Sequence, residues 1–203
     1  MLLAAFLMAT TTLLISSCNN AAPEKETASA VKNTTAAEAA IVTNPNFSIA
    51  SIEYAELTEK ALSHMSKFDF DAWGSMLAEN VVYSFPDGDV ETRTSLNGKA
   101  AVVSWWKNWK SKSGVESMSM SEFNHIPINV TAQPKGGAPM GIYVISYFSN
   151  KMIFKGNPVA LRMNFSVHFN ANKEIDRYST YYDRSPIVKA MGGESLLDAS
   201  KTK

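Results

Sequence analysis

Three histidines, His64, His125 and His168, are the imidazoles this 203-residue chain can offer, and no two of them share a ligand-pair spacing on one predicted helix. That scatter does not make a zinc or iron centre, and no cofactor is expected. His64 falls on the flank of a predicted helix and His168 on the polar side of a predicted strand, as hydrogen-bonded or solvated groups. His125 and Glu122 differ, because they interrupt a run whose apolar members Met118, Met120, Ile126, Ile128 and Val130 all take even positions. A regular strand would place Glu122 and Asn124 on the apolar face, whereas a bulge would turn Phe123 and His125 inward. Either outcome brings a polar pair to the core, where a carboxylate or imidazole could serve as general base. Asp87, in Pro86-Asp87-Gly88-Asp89, reads with Glu91 and Arg93 as an ordinary charged turn.

The most unusual composition is Trp105, Trp106 and Trp109 on one predicted helix. Neighbouring helical positions diverge by about 100°, so the three indoles cannot all face one way. With Tyr83, Phe85, Phe165 and Tyr181 they form the expected lining of an aromatic cavity between helices and sheet, suited to a small apolar or aromatic molecule. A core filled by the same rings is the alternative reading.

The elements that must hold these residues follow from periodicity. Tyr54, Ala55, Ala61, Leu62, Met65 and Phe68 recur at helical spacing across Ser51 to Phe68. Asp69 and Asp71 then open a second helix through Trp73 and Leu77, ending at Asn80. Val81 to Phe85 reads as a short strand, and a third helix runs from Asn97 to Lys110. Beyond it the period falls to two: extended runs cover Met118 to Val130, Met140 to Phe154, Val159 to Phe169 and Ile175 to Tyr182. Ser185-Pro186 and Gly192 frame a short last helix.

Three local phrases, Phe68-Asp69-Phe70-Asp71-Ala72-Trp73 with Leu77-Ala78-Glu79-Asn80-Val81, Leu96-Asn97-Gly98-Lys99-Ala100, and Ile175 through Tyr181-Tyr182-Asp183, resemble the NTF2-like (SnoaL-like) superfamily. The resemblance covers Ser51 to Gly192. It implies an α+β cone, with three N-terminal helices packed on a curved, mostly antiparallel sheet, and a conical pocket. It also implies which chemistry is missing. The isomerase pattern of that superfamily places its helix tyrosine at Ala61, its proton-shuttling aspartate at Phe85 and its oxyanion-binding aspartic acid at Phe165. Alkyl and phenyl groups neither abstract protons nor stabilise an enolate, so ketosteroid-isomerase chemistry is not expected.

The chain's start points to the envelope. Met1 to Ile15 is apolar and too short to span a bilayer comfortably, and Ile15-Ser16-Ser17-Cys18 is similar to a bacterial lipobox. No Lys or Arg precedes the run, its one departure from the leader pattern. Residues 1–17 are thus expected to be a lipoprotein-type signal peptide and Cys18 the lipidated residue. Positions 18–46 form a polar linker, 47–192 the folded domain and 193–203 a loose tail. Cys18 is the single cysteine, so no intramolecular disulfide exists. Nineteen Lys and Arg balance nineteen Asp and Glu, leaving no positive field for nucleic acid.

The expected role is membrane-anchored binding of a small apolar molecule. The alternatives are a lyase, hydrolase or isomerase, using Glu122 or His125 as base and Tyr83 or Tyr181 as hydrogen-bond donor, and a scaffold without chemistry. Met140 to Phe148 is apolar in both phases, so a homodimer through one sheet face is expected as well.

Overall fold

The computed structural model describes residues 44–87 and 94–193. Residues 1–17, Cys18, most of the linker, Asp89, Glu91, Arg93 and nearly all of the tail fall outside them. Among the described residues the hydrophobic core is made wholly within the unit Val42–Lys203. Among the described residues no helix is long and apolar enough to cross a membrane.

The order of elements is β1 (Phe47–Ile49), α1 (Glu53–Ser66), α2 (Phe70–Ser75), β2 (Leu77–Ser84), β3 (Ser95–Asn97), α3 (Lys99–Lys112), β4 (Val115–Val130), β5 (Gly141–Phe154), β6 (Asn157–Phe169), β7 (Ile175–Tyr181) and α4 (Ser185–Ala190). One seven-stranded sheet runs β1-β4-β5-β6-β7-β2-β3. Its neighbours are antiparallel except β2 and β7, which are parallel. This is an α+β architecture with one correction to the expected helix order. Only α1 and α2 precede β2, and α3 comes between the β2–β3 pair and the long strands β4 to β7, so the three helices are not all N-terminal to the sheet. The segment from Leu77 to Asn80 is strand rather than the end of a helix, because Leu77 pairs with Ile175 of β7. Tertiary pairing overrides local helical preference there.

Each helix buries one stripe. α1 turns Ala55, Thr58, Ala61, Leu62 and Met65 inward and begins with Glu53 and Glu56, which suit its positive end. Asp69 caps α2 by accepting from the Ala72 amide at 3.1 Å. α3 buries Val102, Trp106 and Trp109 and ends on Lys110 and Lys112. α1 packs against β4, α3 against β2, and α4 against β6.

The even-numbered apolar stripe of β4 is broken by a bulge. Ser121 pairs with Ser149 and Asn124 with Tyr147, so Glu122 and Phe123 oppose a single residue. Glu122 takes the left-handed conformation (φ 57°) that one extra residue in a ladder requires. Met118 and Met120 join the helix-facing core, whereas beyond the bulge Phe123 packs on Phe148 and His125 turns inward. Ile126, Ile128 and Val130 therefore change sides, and Ile126 is 40% exposed.

Candidate functional site

Five methionines converge between helices and sheet: Met65 from α1, Met118 and Met120 from β4, Met152 from β5 and Met163 from β6. With Trp106, Trp109, Phe165 and Tyr182 they enclose a cavity of about 20 Å³. Pockets that hold organic ligands span about 300–1,000 Å³. The expected open hollow is therefore almost closed, and methionine side chains fill it. Thioether chains have several low-energy rotamers and reshape at small cost, which branched aliphatic residues do not.

The polar atoms of this wall stand out. Asn150 enters from β5 and donates through Nδ2 to Met118 Sδ at 3.5 Å and Met163 Sδ at 3.6 Å. Thioether sulfur only accepts, so the amide nitrogen belongs on that side, leaving Asn150 Oδ1 buried without a partner. Trp106 Nε1 and Trp109 Nε1 are likewise buried and unpaired. Tyr182 is half-buried by surface, yet its phenol is desolvated, and burial pushes its pKa upward. It is the titratable group among the lining residues, and it stays a neutral phenol.

The residues anticipated from sequence separate into three groups. Trp106, Trp109 and Phe165 line the cavity. Tyr83 and Phe85 are fully buried beside it, in an aromatic stack with Trp73, Trp106 and Tyr178. Burial raises the Tyr83 pKa, with further contributions from Tyr182 and Tyr178. The neighbouring Thr180 donates to the Ser84 carbonyl at 2.9 Å, and its side chain acts on Tyr83 in the opposite sense to burial. Trp105 is the indole that diverges, lying half-buried over Phe85 at 4.6 Å. Tyr181 corrects the expectation. It is 51% exposed on the other side of the sheet, with Tyr143 and Arg177 beside a surface hollow of about 480 Å³, and Tyr182 takes the inward place. Alternation beyond Thr180 decides this, because Thr180 itself is fully buried.

Neither candidate base reaches the cavity. Glu122 is exposed at the bulge and accepts from Ser149 Oγ at 2.5 Å. His125 stacks on Phe123, places Nδ1 2.8 Å from Ser146 Oγ and Nε2 3.6 Å from the Glu59 carboxylate. At 3.6 Å the carboxylate is too far for a hydrogen bond, so Nε2 is buried without a hydrogen-bond partner and Ser146 is the ring's one side-chain bond among the described residues. Burial lowers the His125 pKa and outweighs the opposing effect of Glu59. His168 lies on the opposite sheet face, bonded to Asp176 and, at 3.0 Å, to the Met140 carbonyl. Asp87 is no free turn residue: it is 7% exposed and paired with Arg184.

Asn150 and the methionines were not singled out from the sequence, although a signal existed. In the β5 row Ile142, Val144, Ser146, Phe148, Asn150, Met152 and Phe154, two polar residues interrupt an otherwise apolar phase. Buried polar residues in such a row mark either a partner or a site.

No family model matches this sequence, and no curated protein matches it either. Solved structures do. A presumed isomerase from Bacillus subtilis superposes with a TM-score of 0.52 at 21% identity, over 71% of this chain and 96% of its own. A presumed polyketide cyclase from Xanthomonas campestris gives 0.52 at 16% identity, over 68% and 96%. An NTF2-like protein from Anabaena variabilis gives 0.50 at 16%, over 68% and 96%. The domain therefore has the NTF2-like fold.

Proposed function

We propose that this chain is a lipid-anchored envelope protein whose NTF2-like domain binds a small, mostly apolar or aromatic molecule between α3 and the sheet. The observation that carries the reading is the cavity wall, where five methionines and two tryptophans surround a void too small to be rigidly useful and soft enough to open. Binding is favoured over catalysis because the lining residues supply no carboxylate or imidazole, and Glu122 and His125 lie elsewhere. The structural neighbours described as a presumed isomerase and a presumed cyclase support a small-molecule partner on the same fold.

The test is native mass spectrometry of the Val42–Lys203 fragment purified from its own host, followed by thermal-shift screening with aromatic probes. A retained mass released on denaturation, or a concentration-dependent rise in Tm, is expected. Neither result appearing would overturn the binding role.

A homodimer through the outer sheet face accompanies this proposal. Ile126, Tyr147, Ile153 and Tyr181 are exposed to 40%, 46%, 39% and 51%. Partner formation would cover them.

A further inference from the structure

Resting on the binding role just proposed, we infer that the buried end of the ligand carries a hydroxyl group, which accepts from an indole N–H of Trp106 or Trp109 and donates to Asn150 Oδ1.

Three orphan polar atoms belong to residues that line one cavity, two from α3 and one from β5. Trp106 Nε1, Trp109 Nε1 and Asn150 Oδ1 are buried without partners, and all three residues line the same methionine-walled cavity. A buried polar group without a partner is destabilising, which is why such groups are few in folded proteins. Three on one small cavity are complementary to something that enters it. The set contains N–H donors and a carbonyl acceptor, so the complement needs an acceptor and a donor together. A hydroxyl supplies both from one oxygen. The remaining wall of thioethers and rings fits an apolar or aromatic body, making a phenol or an apolar alcohol the matching class.

The same atoms argue against two other occupants. Asn150 Nδ2 already donates to the sulfurs of Met118 and Met163, which competes with their use as thioether ligands for a soft cation such as Cu(I). A plain hydrocarbon would leave all three orphans unpaired.

The test compares 2-naphthol with 2-methylnaphthalene, two probes of nearly equal size that differ in hydroxyl against methyl, by equilibrium dialysis with the Val42–Lys203 fragment. The expected result is binding of 2-naphthol at least about tenfold tighter, the equivalent of one well-made buried hydrogen bond. Asn150→Leu should shrink that gap to about twofold by weakening 2-naphthol alone. Indole N–H resonances in ¹H–¹⁵N spectra read the donor side without any variant. The signal of Trp106 or Trp109 should move downfield, as hydrogen bonding requires, with 2-naphthol and not with 2-methylnaphthalene. Equal affinities in the unaltered protein, or a gap that survives Asn150→Leu with silent indole signals, would overturn the hydroxyl assignment while leaving the cavity as a binding site. Failure of both probes to bind would remove the hydroxyl assignment and the binding role together.

Discussion

Trp73 Nε1 donates to the Tyr178 hydroxyl at 3.1 Å across 105 residues of sequence, and both side chains are completely buried. This bond joins α2 to β7 through the middle of the aromatic stack. Tyr178→Phe keeps the ring but strands the indole N–H, so a loss of about 1–3 kcal/mol in unfolding free energy is expected. Urea denaturation of the single and double variants with Trp73→Phe should give a coupling between the two sites; additivity would refute the link.

Lowering the pH should destabilise the domain through His125. Its folded-state pKa lies below the unfolded value of about 6.5, because burial disfavours the charged ring. The unfolded chain therefore binds the proton first, and stability falls as pH drops below that value. Replacing the ring by glutamine should flatten the slope between pH 7.5 and 5. Midpoints from denaturant titrations at each pH report it.

Met163→Ala should cost about 2–5 kcal/mol, since it removes a buried side chain and leaves a larger void. The same change should let the cavity take up benzene, seen as a benzene-dependent rise in Tm that the unaltered protein lacks.

Tyr147 sits 46% exposed on the outer sheet face. Tyr147→Lys should yield a monomer in sedimentation velocity while the unaltered fragment sediments as a dimer, with thermal stability of the monomeric fold nearly unchanged.

Cys18→Ser should abolish labelling by an alkyne fatty acid and move the protein from the membrane to the soluble envelope fraction. Persistent labelling would exclude lipid at that position.

Much of the architecture was readable from spacing alone. The stripe from Ala55 to Met65 and the alternation in Leu161, Met163, Phe165, Val167 and Phe169 each predict one buried face, and the structure has both. What escaped depends on position rather than type. Tyr181 and Tyr182 are chemically identical neighbours, and only strand parity decides which one faces the cavity. Leu77 to Asn80 carries helix-compatible residues whose strand conformation comes from a partner 98 positions away, Ile175. The cavity's closure is also a tertiary property, because Met65, Met118, Met120, Met152 and Met163 meet from four elements that no local window spans.

The kink at Glu122 makes this strand unforgiving of changes in length. Deleting one residue there would restore unbroken alternation and exchange the inner and outer sides of everything on one flank, exiling Phe123 and His125 or else the methionine pair. The segment between β4 and β5 could absorb the same deletion in its turns, so evolutionary drift in chain length should accumulate there and spare the kink.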